Sequence, residues 1–333
     1  MKRSDLLMLV VVLAAAVGVG GGCASGTTRP AGAARPAASA DALGQRLVAA
    51  ARAGRAGEVR DLLRQGAAAN FRGALGRTAL MWSAGKGHLE VARELLRAGA
   101  DTGLRESDGS TALMWAAGAG HAEVAALLLS AHAEVDAQAD DGSTALMLAA
   151  GGGREKAVGV LVQAGASVRL KDREGATALA WAAAGKRAGL LPALLGGPAA
   201  AGAGEADAAV ALAWAVGSGD LRTLRALLAA GCRPNARGPD GSTALLWAAG
   251  CGDVAMVRAL LAAGAEVNLP RTSGATPLMF AAGAGKADAV KALIRAGADL
   301  NARQTDGSTA VAWARQHRHP AVESILKAAG AKG

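Results

Sequence analysis

The chain has 333 residues and carries 36 Lys and Arg against 27 Asp and Glu, a formal net charge of +9. Hydrophobic residues make up 52% of the sequence and charged residues only 19%, a balance that excludes an intrinsically disordered chain. Its three cysteines are too few for a disulfide-stabilised scaffold. Aromatic residues reach only 2%, so we expect a core of helices that pack closely through Ala and Leu.

Residues 1–22 have the layout of an export signal. Lys2 and Arg3 precede a continuous apolar run from Leu6 to Val17, and a glycine-rich stretch then leads to Cys23. A Cys in this place resembles the bacterial lipoprotein signal, in which that Cys is lipidated and becomes the mature N-terminus. Ordinary cleavage and an uncleaved anchor are the alternatives. All three export the rest of the chain.

Residues 23–39 predict a flexible tether, because after Cys23 they contain only Ala, Gly, Ser, Thr, Pro and Arg. Ala24 follows Cys23 in place of the Asp that is associated with retention in the inner membrane. The resemblance therefore implies a lipoprotein of the bacterial outer membrane that faces the periplasm. A soluble periplasmic or secreted protein is the alternative.

A period of 33 residues fills the remainder of the chain. A threonine recurs at this spacing: Thr78, Thr111, Thr144, Thr177, Thr243, Thr276 and Thr309. A leucine keeps the same register: Leu95, Leu128, Leu161, Leu194, Leu227, Leu260, Leu293 and Leu326. Each Thr precedes an apolar pattern of helical period, a second short helix follows, and a segment with an Asp-Gly turn signal closes the unit. Such a unit buries its apolar face only by stacking on its neighbours.

The repeat resembles the ankyrin repeat. The residues from Gly109 to Ala117, then Gly120-His121 and Leu128-Leu129, match its helical part, and the residues from Gly297 to Asn301 match its ending. The resemblance implies a mainly α fold, an ankyrin-repeat solenoid over residues 40–333 of about nine helix-helix-hairpin units. The predicted units lie near residues 40–72, 73–105, 106–138, 139–171, 172–204, 205–237, 238–270, 271–303 and 304–333.

Two places depart from the regular pattern. Residues 192–209 replace one hairpin, and Pro192 either removes a helical hydrogen bond or forces a late helix start. This stretch is either a worn repeat or a hinge between two blocks. In the last unit, Arg315 and Lys327 occupy columns that are apolar elsewhere, as expected of a capping repeat.

All six tryptophans share one position of the repeat: Trp82, Trp115, Trp181, Trp214, Trp247 and Trp313. In the ankyrin pattern this position is an apolar one between helices, so we expect a buried core column. An exposed aromatic groove is the alternative. A buried column requires an acceptor for each indole N–H.

Charged residues form two columns in the predicted hairpins, or fingers. The basic column consists of Arg72, Arg105, Lys171, Arg237 and Arg303. The acidic column lies three residues later and includes Asp108, Asp141, Asp240 and Asp306. These residues either form the turns and balance one another, or grip a partner. Because the signs alternate, the pattern argues against a nucleic-acid face.

The sequence presents no nucleophile with a plausible base and no phosphate-binding loop, so we expect neither catalysis nor a cofactor. His317 and His319 lack a nearby carboxylate or Cys, so we expect no metal site. The resemblance implies a monomeric scaffold that binds another protein and is held at a membrane by its lipid. A structural spacer without a tight partner and a regulatory or inhibitory subunit of an envelope enzyme are the alternatives.

Overall fold

A computed structural model describes residues 40–196 and 205–332. The predicted signal peptide, the tether and Cys23 lie outside these residues, as does part of the irregular stretch 192–209. No helix of the described residues is long and apolar enough to cross a membrane.

The described residues contain nine consecutive helix pairs, called repeats 1 to 9. The first helices are α1 (Ala40–Arg52), α3 (Ala79–Lys86), α5 (Ala112–Ala119), α7 (Ala145–Gly152), α9 (Ala178–Ala184), α11 (Glu205–Gly217), α13 (Ala244–Cys251), α15 (Pro277–Gly283) and α17 (Ala310–Gln316). The second helices are α2 (Ala56–Arg64), α4 (Leu89–Arg97), α6 (Ala122–Ser130), α8 (Glu155–Gln163), α10 (Leu191–Gly196), α12 (Leu221–Ala229), α14 (Val254–Ala262), α16 (Ala287–Arg295) and α18 (Pro320–Ala328).

Most of the predicted helix starts and ends have their expected chemistry. In α5 the hydroxyl of Thr111 accepts the backbone N–H of Met114 at 3.4 Å, which satisfies one of the free N–H groups of the first turn. Gly99 ends α4 with a φ of 80°, and His132 takes the corresponding place after α6 with a φ of 61°. His132 thus occupies, at positive φ, a position that is glycine in most other repeats.

The predicted hairpins are tight turns. In the third repeat Glu106 N–H donates to the carbonyl of Ser110 and Gly109 N–H donates to that of Glu106, both at 3.0 Å. Within the described part of the chain a single β-bridge forms, between Gln138 and Thr144. The architecture is therefore a mainly α solenoid.

The core runs through the stack as rows of equivalent residues. Each first helix packs against the first helix of the next repeat, from α1 to α17. The leucines of the second-helix row, such as Leu128 and Leu260, are fully buried. Small residues let neighbouring repeats approach each other, as at Ala116 and Ala117, which are fully buried as well.

A second row of contacts joins the ends of several first helices to the next repeat. Nε2 of His88 lies 3.3 Å from the carbonyl oxygen of Arg52, and Nε of Arg154 donates to the carbonyl of Gly118 at 3.1 Å. These side chains pass over glycines of positive φ. A Cβ on Gly87 would lie 2.5 Å from Nδ1 of His121. Glycine is thus required there by both backbone conformation and space.

The irregular junction lies between repeats 5 and 6. A 3₁₀ turn (Ala188–Leu190) precedes α10, and Pro192 is the second residue of that six-residue helix. The late helix start, one of the two predicted effects of Pro192, is confirmed. Across the junction α9 still packs against α11, whereas α12 packs against the 3₁₀ turn. Nζ of Lys171 also lies 2.8 Å from Oδ1 of the buried Asp207.

Helix α11 begins at a position of the repeat that, in the other inner repeats, still belongs to the finger. It has 13 residues and occupies the same register as α1, also of 13 residues, five repeats earlier. Repeat 6 therefore starts in the manner of repeat 1, although it has a predecessor to pack on.

The last repeat ends in a charged cap, as predicted. Glu323 Oε1 accepts from Arg315 Nη2 at 2.9 Å and from Lys327 Nζ at 2.7 Å. The two columns that are apolar inside the array therefore become an exposed ion-pair cluster at its end.

Glu323 is expected to make stability fall on acidification. Hydrogen bonds from Lys327 and Arg315 lower the pKa of Glu323 below its ordinary value. Its contribution is therefore complete above the unfolded-state pKa of about 4.3 and is lost as the pH falls through the lower folded-state pKa. Thermal unfolding of Glu323→Gln should show a lower Tm than the wild type at pH 7, with the difference shrinking toward about pH 3. Glu123→Gln, an exposed carboxylate of α6, controls for the lost charge; an equal effect there would contradict the prediction.

Candidate functional site

The basic column of the fingers connects successive repeats. Arg72 Nη2 donates to the carbonyl of Arg105 at 2.6 Å, and Arg105 Nη1 donates to the carbonyl of Gln138, in each case 33 residues later. Gln138 makes the same contact with the next repeat at 3.0 Å, through Nε2. Arg237 Nη2 repeats it with Pro270 at 2.8 Å. These four donors thus form a side-chain ladder that ties their fingers to the ones that follow.

The two other members of the basic column have different partners. Lys171 pairs with Asp207 across the irregular junction, since no regular finger follows it. Arg303 Nη1 donates to the carbonyl of Gly307 within its own finger at 3.2 Å. Every predicted basic finger residue therefore contacts the protein itself.

The acidic column forms the turns of the fingers. Oδ1 of Asp108 accepts the backbone N–H of Ser110 at 2.8 Å, the Asx turn that an aspartate makes two residues ahead. Asp141, Asp240 and Asp306 make the same contact. At Asp306 the hydrogen bonds from the backbone and hydroxyl of Ser308 lower the pKa of the carboxyl group. Both charged columns thus have a structural role, the first of the two predicted alternatives.

Removing one rung of the ladder should cost about 1 kcal/mol of stability. Arg105→Ala deletes the donor to Gln138, whereas Arg105→Gln installs the side chain that already makes this contact at position 138. Urea unfolding is expected to give a loss of about 1 kcal/mol for Ala and less than about 0.5 kcal/mol for Gln. Equal losses would show that the hydrogen bond to the next repeat is not what stabilises the finger.

The tryptophan column lies between the two predicted alternatives, neither fully buried nor exposed. Each of Trp82, Trp115, Trp181, Trp214, Trp247 and Trp313 is half-buried. In α5, Trp115 follows the buried Leu113 by two residues, about 200° around the helix, so it lies on the side away from the second helix. With Leu148 and Phe280 these residues form an aromatic row along the first helices. Most of its members pack against the hydrophobic core and leave part of the ring accessible.

Neighbouring members of the aromatic row contact one another and several arginines. The rings of Trp82 and Trp115 have centroids 5.5 Å apart, and those of Phe280 and Trp313 lie 5.6 Å apart. The guanidinium of Arg77 lies 5.4 Å from the Trp82 ring and 4.9 Å from the Trp115 ring. Such cation–π contacts fix the ring orientations.

Two carboxylates, one buried and one half-buried, accept hydrogen bonds from indole N–H groups of the aromatic row. Trp115 Nε1 donates to Oε1 of Glu106, and Trp181 Nε1 donates to Oδ2 of Asp172, both at 2.7 Å. Glu106 is buried and also accepts from Arg77 Nε at 2.5 Å. Both carboxylates lie nine residues before their Trp in the sequence. This spacing is the signal that identifies them, but it falls outside the two charged columns of the fingers.

Glycines on the first helices make room for the aromatic row of the next repeat. A Cβ on Gly283 would lie 2.6 Å from Cε3 of Trp313, and one on Gly151 would lie 3.0 Å from the same atom of Trp181. Each of these glycines therefore provides the surface against which the aromatic ring of the next repeat packs.

The histidines considered for metal binding contact the backbone. Nδ1 of His317 lies 2.9 Å from the carbonyl oxygen of Trp313, and Nε2 of His319 lies 3.1 Å from that of Gly283. In the described part of the chain, no group of three His, Cys, Asp or Glu side chains is arranged to hold a metal ion.

Comparison with protein families decides the classification. The family model described as "Ankyrin repeats (3 copies)" matches residues 47–139, 128–201, 184–271, 212–304 and 263–332, which together cover nearly all of the described repeats. The chain belongs to the ankyrin-repeat family. No curated protein matches the chain at the level of sequence. Ankyrin repeats typically form interaction scaffolds rather than enzymes, so the family places the protein among those that bind a protein partner.

Proposed function

We propose that this ankyrin-repeat protein is an exported scaffold that binds another protein in a bacterial envelope, as a monomer held at the outer membrane by a lipid on Cys23. The supporting observation is the combination of an ankyrin array with an N-terminal Lys2-Arg3, apolar run and Cys23. In this proposal residues 1–22 are the signal peptide, residues 23–39 the tether and residues 40–333 the solenoid, facing the periplasm.

Incorporation of a radioactive fatty acid tests the anchor. The wild type is expected to be labelled and to fractionate with the outer membrane, and Cys23→Ser is expected to lose both properties. Labelling retained in Cys23→Ser would refute lipidation at Cys23, and labelled protein in the inner membrane would refute the location.

Chemical crosslinking in intact envelopes, followed by purification and mass spectrometry, tests partner binding. The protein is expected to carry one envelope protein in stoichiometric amount. Finger contacts are tested without disturbing the fold by Asp108→Asn and Asp306→Asn, which keep the Asx-turn acceptor, and by Arg105→Gln and Arg237→Gln, which keep a donor. Loss of the partner in these variants would support binding at the fingers, and full retention would exclude it.

A structural spacer without a tight partner is the second candidate, because the basic column is occupied by the ladder between fingers. Crosslinking that captures no protein, with loss of envelope integrity on deletion of the protein, would favour the spacer over the scaffold.

A further inference from the structure

The second helices of repeats 6, 7 and 8 carry cations without matching acids. Helices α12, α14 and α16 expose five basic side chains: Arg222, Arg225, Arg258, Lys291 and Arg295. The single acid on these helices is Asp288, which pairs with Lys291 at 3.4 Å. Among the described residues no carboxylate pairs with the four arginines. We call this the basic face.

The equivalent helices of repeats 1 and 2 are neutralised. Arg64 pairs with Asp61 at 3.5 Å, Arg93 with Glu90 at 3.5 Å, and Arg97 with Glu94 at 3.3 Å. The repeat pattern thus does not require an excess of positive charge on the second helices. The excess belongs to repeats 6 to 8.

Grooves with apolar floors run between the helices of the basic face. The groove between α12 and α14 has a volume of about 590 Å³, with Leu228 and Ala259 in its floor and Arg225 and Arg258 at its sides. The groove between α14 and α16 has a volume of about 250 Å³ and lies between Arg258 and Arg295. Arg258 therefore stands between the two grooves.

The grooves are open because α14 has small side chains where α4 has long ones. Its exposed residues Ala255 and Ala262 are equivalent to Glu90 and Arg97, the exposed long side chains of α4. An apolar floor between rows of unpaired arginines matches a ligand with apolar side chains in the middle and carboxylates on both sides.

We propose that the basic face binds an acidic amphipathic helix of a partner protein. Such a helix places its apolar side chains in the grooves and its carboxylates against Arg225, Arg258 and Arg295. A membrane surface fits less well, because no large apolar side chain protrudes between the arginines to enter a bilayer. This inference rests on the proposed scaffold function and names one surface and the chemistry of its ligand.

Binding of two synthetic peptides to the mature chain tests the proposal. The probe is a fluorescent amphipathic helix of Leu, Ala and Glu, and its control has Lys in place of each Glu. Fluorescence anisotropy is expected to show salt-sensitive binding of the acidic peptide and none of the basic one. No binding of the acidic peptide, or equal binding of both, would overturn the proposal.

Two matched triple variants locate the site, each lowering the net charge by three. Arg225→Gln, Arg258→Gln and Arg295→Gln together should weaken acidic-peptide binding by about tenfold or more. Arg64→Gln, Arg93→Gln and Arg97→Gln together should change it by less than about threefold, because these arginines already have acidic partners. Circular dichroism verifies that both variants are folded. Equal weakening by the two triples would mean attraction by net charge and would overturn the proposal.

Two further outcomes separate this proposal from its alternatives. If anionic phosphatidylglycerol vesicles bind through the basic face and the peptide does not, the ligand is a membrane and the proposal is wrong. If a partner is captured from the envelope and the basic-face triple variant retains it in full, the scaffold function stands while the basic face is excluded as its binding site.

Discussion

Ala211→Arg is expected to divide the unfolding of the full chain into two transitions. Ala211 is fully buried in α11 and belongs to a column of small residues that faces the preceding repeat. In repeat 1, which has no predecessor among the described repeats, the same position is Arg46, whose side chain is 43% exposed. An arginine at position 211 would be forced between α9 and α11 without a partner, at a cost of about 4 kcal/mol.

The division follows from how a solenoid is held together. Each repeat contacts only its neighbours, so a large local penalty uncouples the repeats on its two sides. Between repeats 5 and 6 the second helices do not pack on each other, because α10 is short and α12 packs on the 3₁₀ turn instead, so the packing of α9 against α11 is the main connection there. Urea unfolding followed by circular dichroism and tryptophan fluorescence measures the effect. Ala49→Arg, on the exposed side of α1, should leave a single transition; a single unshifted transition in Ala211→Arg would contradict the prediction.

The same arginine, combined with Val210→Gln, should have the opposite effect in a fragment that begins at Glu205. Without α9, the face of α11 that holds Val210 and Ala211 is exposed, and a terminal repeat needs a polar outer face. Val210→Gln with Ala211→Arg copies Gln45 and Arg46 of α1. The substituted fragment is expected to be a folded monomer by light scattering, and the unsubstituted one to self-associate. Four repeats exceed the minimum of about three that a stable array needs.

These two results would bear on the hinge alternative for residues 192–209. Helix α11 has the length and register of a starting helix, yet its outer positions are apolar and covered. A chain built from two arrays in tandem would have this combination, since fusion requires the polar face of the second array to become apolar. Opposite effects in the two contexts would thus support two blocks, and destabilisation in both would favour a worn repeat.

The repeat made most of the fold predictable. Columns such as Leu128 and Thr111 recur at a fixed spacing, so an apolar residue in the column identifies the core and a Thr identifies a helix start. His132 could be placed at positive φ because it stands in a glycine column. Each position of the repeat can be compared with up to eight equivalent positions. This comparison says more about the role of a residue than local propensity alone.

The surface was less predictable for the same reason. Equivalent residues of the repeats share a column, but the contacts that determine the roles of the surface side chains join different columns. Glu106 meets Trp115 from nine residues earlier, and Arg105 meets a backbone carbonyl, which no side-chain pattern encodes. The place of the Trp column in the ankyrin pattern predicts a core position, whereas its place about 200° from Leu113 leaves the rings half-buried. The basic face is hard to predict from the sequence, because its arginines differ from those of repeats 1 and 2 only in lacking acidic partners.

Glu106→Ala is expected to lower the free energy of unfolding by about 3 kcal/mol. Glu106 is buried and accepts from both Arg77 Nε and Trp115 Nε1, so its removal leaves a guanidinium and an indole N–H without their acceptor. An unpaired cation close to the core costs several kcal/mol, more than the lost packing of a Glu side chain in a finger. Urea unfolding measures the loss. Gln304→Ala, in the same column of the last finger, should cost less than about 1 kcal/mol.

A double-mutant cycle with Arg77 identifies the cause of that loss. If the penalty comes from the guanidinium left without an acceptor, Arg77→Met should recover much of it in the Glu106→Ala background, because the half-buried charge is removed together with its partner. The coupling energy between the two sites is then expected to be about 1–3 kcal/mol. Additive losses would mean that Glu106 stabilises the turn through its backbone and methylene groups alone. The Trp115 indole provides an independent readout, since its fluorescence should change in Glu106→Ala and remain altered when Arg77→Met restores stability.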